Sequence, residues 1–175
     1  MEKIFYHGSL INDIEKFNPF SHFGSKLAAT EAAFRRLHLG EKGSPTLYKT
    51  TINIPADKTI EMPDWASPRP RDLAEALALH FSDDRAEQFQ SIVSNISIRE
   101  AGNLSLRLSL FERIKVKLLP NIKGIYYKNE HEGIYGEKTL CLVCNDCVTS
   151  TDIEAFDRQE VARVKALLHK KYPRT

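Results

Sequence analysis

Nowhere in the 175-residue chain do about 18 apolar residues run together, so the sequence offers no membrane-spanning helix. The opening, Met1-Glu2-Lys3-Ile4-Phe5-Tyr6-His7-Gly8, also lacks the long apolar segment of a secretory signal. A cytoplasmic location is expected, and delivery into another cell by a machine that needs no cleaved signal is compatible with the same sequence. Strong charge of either sign is missing too: 25 Lys and Arg against 23 Asp and Glu leave a net charge of +2. That is too weak a bias for a dedicated nucleic-acid binder. A nucleic-acid acceptor would have to be held by a local patch, for which Arg163, Lys165, His169, Lys170, Lys171 and Arg174 are the candidates.

Cysteine is scarce, with three residues in the run Cys141-x-x-Cys144-x-x-Cys147. An odd count in a cytosolic chain argues against disulfides. Thiolates at this spacing do bind metals and iron–sulfur clusters, but four ligands are the norm and no fourth cysteine follows. The expectation is no metal, with buried thiols packing as small hydrophobes in an apolar strand. What is present is ordinary for a globular protein: 42% apolar and 27% charged residues exclude wholesale disorder. One core and one domain over residues 1–175 are expected. There is no internal repeat, low-complexity tract or linker.

Lys3 to His7 reads as a short strand closed by Gly8-Ser9. Ile11 to Phe17 reads as a helical turn, with Ile11, Ile14 and Phe17 on one side and Asn18-Pro19 breaking it. Ala28 to Leu39 is rich in strong helix formers and stops at Gly40. Thr46 to Ile54 predicts a strand, and the stretch from Pro63 to Pro70 a loop. Two helices follow, over Arg71 to Phe81 and Asp84 to Ile96, with Ser82 as N-cap. Leu104 to Leu110 alternates like a strand, but Phe111, Ile114 and Leu118 continue at helical spacing, so a helix is expected. Gly124 to Lys128 and Thr139 to Val143 are either a hairpin-like pair or two neighbouring strands. Thr151-x-x-Glu154 has the form of a capping box, opening a last helix whose apolar stripe is Ile153, Phe156, Val161, Val164 and Leu168. Strands at both ends with helices between them predict an α+β domain whose sheet sets the first strand beside the last ones.

Two clusters carry chemistry. Phe5-Tyr6-His7-Gly8-Ser9 places an imidazole at a strand end, before a glycine whose backbone can approach a ligand closely. Tyr126-Tyr127-Lys128-Asn129-Glu130-His131-Glu132-Gly133, followed by Glu137-Lys138-Thr139, is an acidic loop before an apolar strand. Carboxylates in such a place can stabilise a sugar cation as a glycosidic bond breaks.

With Ser21-His22-Phe23-Gly24-Ser25 and the helix Glu31-Ala32-Ala33-Phe34 between them, these clusters resemble the diphtheria-toxin-like and poly(ADP-ribose)-polymerase-like ADP-ribosyltransferases, whose first active-site residue is histidine. Tyr6-His7-Gly8-Ser9 matches their opening motif. His22-Phe23-Gly24-Ser25 and Ile125-x-Tyr127-x-Asn129-x-x-Glu132 resemble small bacterial and phage-encoded members. The likeness covers most of the chain, except residues 83 to 110.

The resemblance implies a split pair of mixed sheets gripping NAD in a cleft, flanked by helices. It implies a mono-ADP-ribosyltransferase that cleaves the nicotinamide–ribose bond and passes ADP-ribose to a protein or nucleic-acid acceptor. Such a protein would act as a toxin, effector or phage-defence factor, for which an antitoxin or immunity protein would be the natural partner. An NAD glycohydrolase, or an inactive module binding NAD, ADP-ribose or a protein, is the alternative. By the same likeness His7 would bond a ribose hydroxyl, Gly8 the nicotinamide carboxamide, and Phe23 and Phe34 would stack on the nicotinamide ring. Ser9, His22, Gly24, Tyr48 and Asn129 are the further candidate NAD contacts. The catalytic carboxylate is sought among Glu132, which completes Asn-x-x-Glu, Glu137 and Glu130, and Glu132 is preferred for its spacing.

Overall fold

The computed structural model describes residues 2–94 and 103–173. In chain order the elements are β1 (Glu2–Ser9), β2 (Ser21–Phe23), α1 (Lys26–His38), β3 (Thr46–Asn53), β4 (Thr59–Glu61), α2 (Pro70–His80), α3 (Asp84–Ser94), α4 (Leu104–Leu118), β5 (Gly124–Asn129), β6 (Glu137–Leu142), β7 (Val148–Glu154) and α5 (Arg158–Lys171). The strands form two sheets, an antiparallel one in the order β1-β3-β7 and a mixed one in the order β2-β6-β5-β4, where β4 runs parallel to β5. The fold is therefore α+β. β5 and β6 are antiparallel neighbours, from Gly124 opposite Leu142 to Asn129 opposite Glu137, which decides between the two arrangements left open above.

The sheets touch where β1 meets the end of β2. Tyr6 and Gly24 exchange both backbone hydrogen bonds at 2.9 Å, and the strands then part. Phe23, Tyr48, Leu140 and Leu142 fill the space between the sheets. On the far face of the mixed sheet, α2, α3 and α4 bury Leu77, Phe89 and Ile114 against Ile125 and Cys141. α5 lies on α1 through Phe34, Val164 and Leu168, with Phe156 beside them. Each core is apolar on the faces that the strand and helix periods present, which is the main drive for their assembly.

Four expectations are corrected. β1 does not lie beside the last strands: its eight residues pair along their whole length with β3, which separates it from β7, and β6 belongs to the other sheet. Ile11 to Phe17 is not a helical turn. The Tyr48 hydroxyl accepts the Ile14 N–H at 3.2 Å and donates to the Ile11 carbonyl at 2.8 Å, while the Asn145 side chain accepts the Phe17 N–H at 3.1 Å. Seven residues are also too few to hold a helix against such partners. Thr151 to Glu154 is part of β7, with Ile153 exposed at 63%, and the cap of α5 is Asp157, whose side chain accepts the Glu160 N–H at 2.8 Å. Asp83 rather than Ser82 caps α3, accepting the Arg85 N–H at 3.0 Å. The end of that expected helix at Ile96 lies outside the described residues, as does Arg174 of the basic tail.

Candidate active site

His7 stands where β1 and β2 part. Along β1, side chains alternate between faces, so Gly8 turns to α1 while His7 turns inward among Phe17, Phe23 and Tyr48, at ring-centroid distances of 5.1, 5.3 and 6.4 Å. Its Nδ1 is 2.8 Å from the His22 carbonyl oxygen. A carbonyl only accepts, so Nδ1 carries the proton and the neutral ring keeps Nε2 as an acceptor. Burial lowers the His7 pKa, against the opposing pull of that hydrogen bond, and so favours the neutral form. Gly8 has no room for a side chain: a Cβ there would lie 1.8 Å from the Ala29 carbonyl oxygen. The Ser9 hydroxyl, buried, accepts the Ile11 N–H at 3.1 Å.

His22 projects to the opposite side of the mixed sheet. Its Nδ1 is 2.7 Å from the Tyr127 hydroxyl, and its ring packs on Trp65 and Tyr127. Burial, then the neighbouring His7, lower its pKa to about 4. Burial also pushes the Tyr127 phenol up, so both partners are neutral near pH 7. Asp64 ties this corner together, accepting the Ala66 N–H at 2.8 Å and the Glu130 N–H at 3.0 Å.

The loop between β5 and β6 is organised by Asn129. Its Oδ1 accepts the N–H groups of His131 at 2.8 Å and Glu132 at 2.9 Å, and its carbonyl accepts that of Gly136 at 2.7 Å. The Asn-x-x-Glu spacing thus has a structural meaning, since the asparagine side chain folds the turn that presents the glutamate. Glu132 pairs with Arg35 of α1 at 2.5 Å, with 17% of its side chain exposed. Burial raises its pKa against the pull of Arg35, and the nearby Glu31 adds to the rise. Glu31, only 3% exposed, accepts the Gly133 N–H at 2.9 Å. Glu130 is exposed. Glu137, at the head of β6, accepts the Ser25 hydroxyl at 2.7 Å, and the same hydroxyl caps α1 by accepting the Ala28 N–H at 3.2 Å.

The candidates therefore fall into two groups. His7, Phe23 and Tyr48 meet between the sheets, next to Gly24. Asn129, Glu132 and Glu137 gather along the β5–β6 turn, with Glu137 held at the start of α1 by Ser25 and Glu132 held by Arg35 in its last turn. Ser25 and Gly24 link the groups, because Gly24 bridges Tyr6 and Ser25 holds Glu137. Phe34 stands apart, edge-on to Phe156 at 5.2 Å in the α1–α5 core, and Phe23 has no exposed surface. Ser25, Glu31, Arg35, Asp64 and Tyr127 were not singled out as site residues from sequence. Glu31 and Arg35 at i, i+4 on one face of α1 were the available signal.

Open cavities among the described residues include one of about 770 Å³ between α3 and α4 and one of about 440 Å³ between α1 and α5 beside Gly133. Neither is lined by His7, His22 or Phe23. Among the described residues, no helix is long and apolar enough to cross a membrane. Comparison with protein-family models, with curated proteins and with solved structures finds no match.

Proposed function

We propose that this chain is an NAD-dependent mono-ADP-ribosyltransferase whose histidine is His7 and whose carboxylate is Glu137. The observation that carries the reading is the junction of the two sheets. His7 is fixed as the Nδ1-protonated tautomer at the point where the strands part, and Ser25, one residue from the Tyr6–Gly24 bridge, holds a glutamate at the head of β6. The two sheets around that junction, one antiparallel and one mixed, fit the split-sheet architecture of the ADP-ribosyltransferases. In the reaction, Nε2 of His7 accepts a hydrogen bond from a ribose hydroxyl. The Glu137 carboxylate accepts the 2′-hydroxyl of the nicotinamide ribose and offsets positive charge growing at the anomeric carbon as nicotinamide leaves. A protein or nucleic-acid nucleophile then attacks that carbon. Glu137 is preferred to Glu132 because Arg35 already neutralises Glu132.

The second reading, a module of this fold that binds NAD, ADP-ribose or a protein without catalysis, is favoured by the full burial of Phe23, which leaves no face on which a nicotinamide ring could stack. The two separate in one experiment. Protein incubated with adenine-labelled NAD and cell lysate should release nicotinamide and label a macromolecule, identified by nuclease or protease treatment. His7→Ala and Glu137→Ala should each lower the rate by about a hundredfold or more, with Glu132→Ala less affected. Nicotinamide release without label is glycohydrolase activity. No release by the wild type, or equal release by all variants, removes the proposed site.

A further inference from the structure

Between β6 and β7 the chain makes a tight turn, Cys144-Asn145-Asp146-Cys147, whose donor atoms the ADP-ribose chemistry does not use. The two Sγ atoms and an Asp146 carboxylate oxygen all lie within 4.8 Å of one another. We propose that this turn is a site for a thiophilic divalent cation of the Zn²⁺ type, with Cys144, Cys147 and Asp146 as its three protein ligands and a fourth position open to water or an external donor. The inference is independent of the transferase reading.

Two sulfurs and one carboxylate form a donor set that suits Zn²⁺ and not Mg²⁺ or Ca²⁺. Zn–S bonds of about 2.3 Å at a tetrahedral angle set two sulfurs about 3.8 Å apart, so an adjustment of roughly an ångström closes the cluster. The residue between the ligands serves as an anchor. Asn145 accepts the Phe17 N–H at 3.1 Å and donates to the Phe17 carbonyl, which clamps the turn against the loop after β1. Cys147 is buried, Cys144 half-buried and Asp146 exposed, so a cation can enter from the Asp146 side.

Charge supports the assignment. Two thiolates, one carboxylate and a dication leave one net negative charge, and Lys123 stands beside it with Nζ 2.6 Å from the carboxylate. Both cysteines are free thiols, so cation binding breaks two S–H bonds, forms two metal–sulfur bonds and releases two protons to solvent. Cys141 is excluded as a ligand, since it is fully buried in the helical core on the other face of the sheet.

The test is titration of the reduced protein with Co²⁺, followed by displacement with Zn²⁺. One equivalent of Co²⁺ should give a thiolate-to-cobalt charge-transfer band and intense visible bands that Zn²⁺ abolishes. Cys144→Ser and Cys147→Ser should each weaken binding by at least about tenfold, Asp146→Asn by less, and Cys141→Ala should leave it unchanged. Because Cys147→Ser could unfold the chain, a second measurement uses the wild type: Zn²⁺, but not Mg²⁺, should protect Cys144 from alkylation as mapped on peptides. Absence of the charge-transfer band, unchanged affinity in both serine variants, or alkylation of Cys144 at the same rate with and without Zn²⁺ would each overturn the proposal.

Discussion

At the scale of single residues, the two inward histidines make the fold sensitive to acid. Burial holds the His22 pKa at about 4 and lowers that of His7, so both imidazoles are neutral in the folded chain. An unfolded histidine titrates near 6.5, so as pH falls the unfolded state takes up the proton first. The contribution of a neutral His22 is complete above about pH 6.5 and is lost as pH falls through about 4, a change of about 3 kcal/mol. His7 acts in the same direction. His22→Gln keeps a hydrogen-bonding partner for Tyr127 and cannot ionise. Urea midpoints measured from about pH 7.5 down to about pH 4 should fall less steeply in this variant than in the wild type. Parallel curves would show that His22 is protonated, or reached by water, in the folded protein.

At the scale of elements, the start of α5 separates what local sequence carries from what it does not. Thr151-x-x-Glu154 and Asp157-x-x-Glu160 have the same capping spacing. Only pairing decides between them, because Thr151 lies opposite Thr50 of β3 while Asp157 accepts the Glu160 N–H. Asp157→Ala should cost about 1 kcal/mol and speed amide exchange in the first turn of α5. Thr151→Ala should leave that exchange unchanged; faster exchange in the second variant would restore the earlier cap. The same reason explains Ile11 to Phe17, whose spacing reads as helical but whose N–H partners come from positions 34 and 128 residues away. Where helix formers run over three turns or more, as in α1, the sequence reading and the structure coincide; α4 is a helix although its first residues alternate like a strand, the helical spacing of Phe111, Ile114 and Leu118 having the final say. In the site, His7, Gly8 and Asn129 were legible as motif residues. The Ser25–Glu137 bond and the Arg35–Glu132 pair were not, because each joins α1 or its cap to residues about a hundred positions further on.

At the scale of the whole molecule, α1 is the element against which both sheets are set. Gly8 of the antiparallel sheet rests on the Ala29 carbonyl, and the loop before β6 is fastened to the same helix through Glu31 and Arg35. That loop brings Glu132 to the Arg35 guanidinium and near the Glu31 carboxylate of α1. Replacing Arg35 by Met keeps much of its aliphatic volume but leaves Glu132 in a part-buried place without its ion-pair partner, at a cost of about 3 kcal/mol near neutral pH. The sign with pH follows from Glu132. Its folded pKa is already raised by burial, and loss of Arg35 raises it further, so the folded variant binds a proton more tightly than the unfolded chain. The penalty of Arg35→Met relative to wild type should therefore shrink as pH falls toward the ordinary carboxylate range. Adding Glu132→Gln to Arg35→Met should recover most of the loss near pH 7, as a cycle of urea midpoints would show. An equal penalty at both pH values, with no recovery in the double variant, would mean that Arg35 joins loop and helix by packing alone. The Glu132 carboxylate would then not be held by charge, and the ground for preferring Glu137 over it in the proposed reaction would be lost.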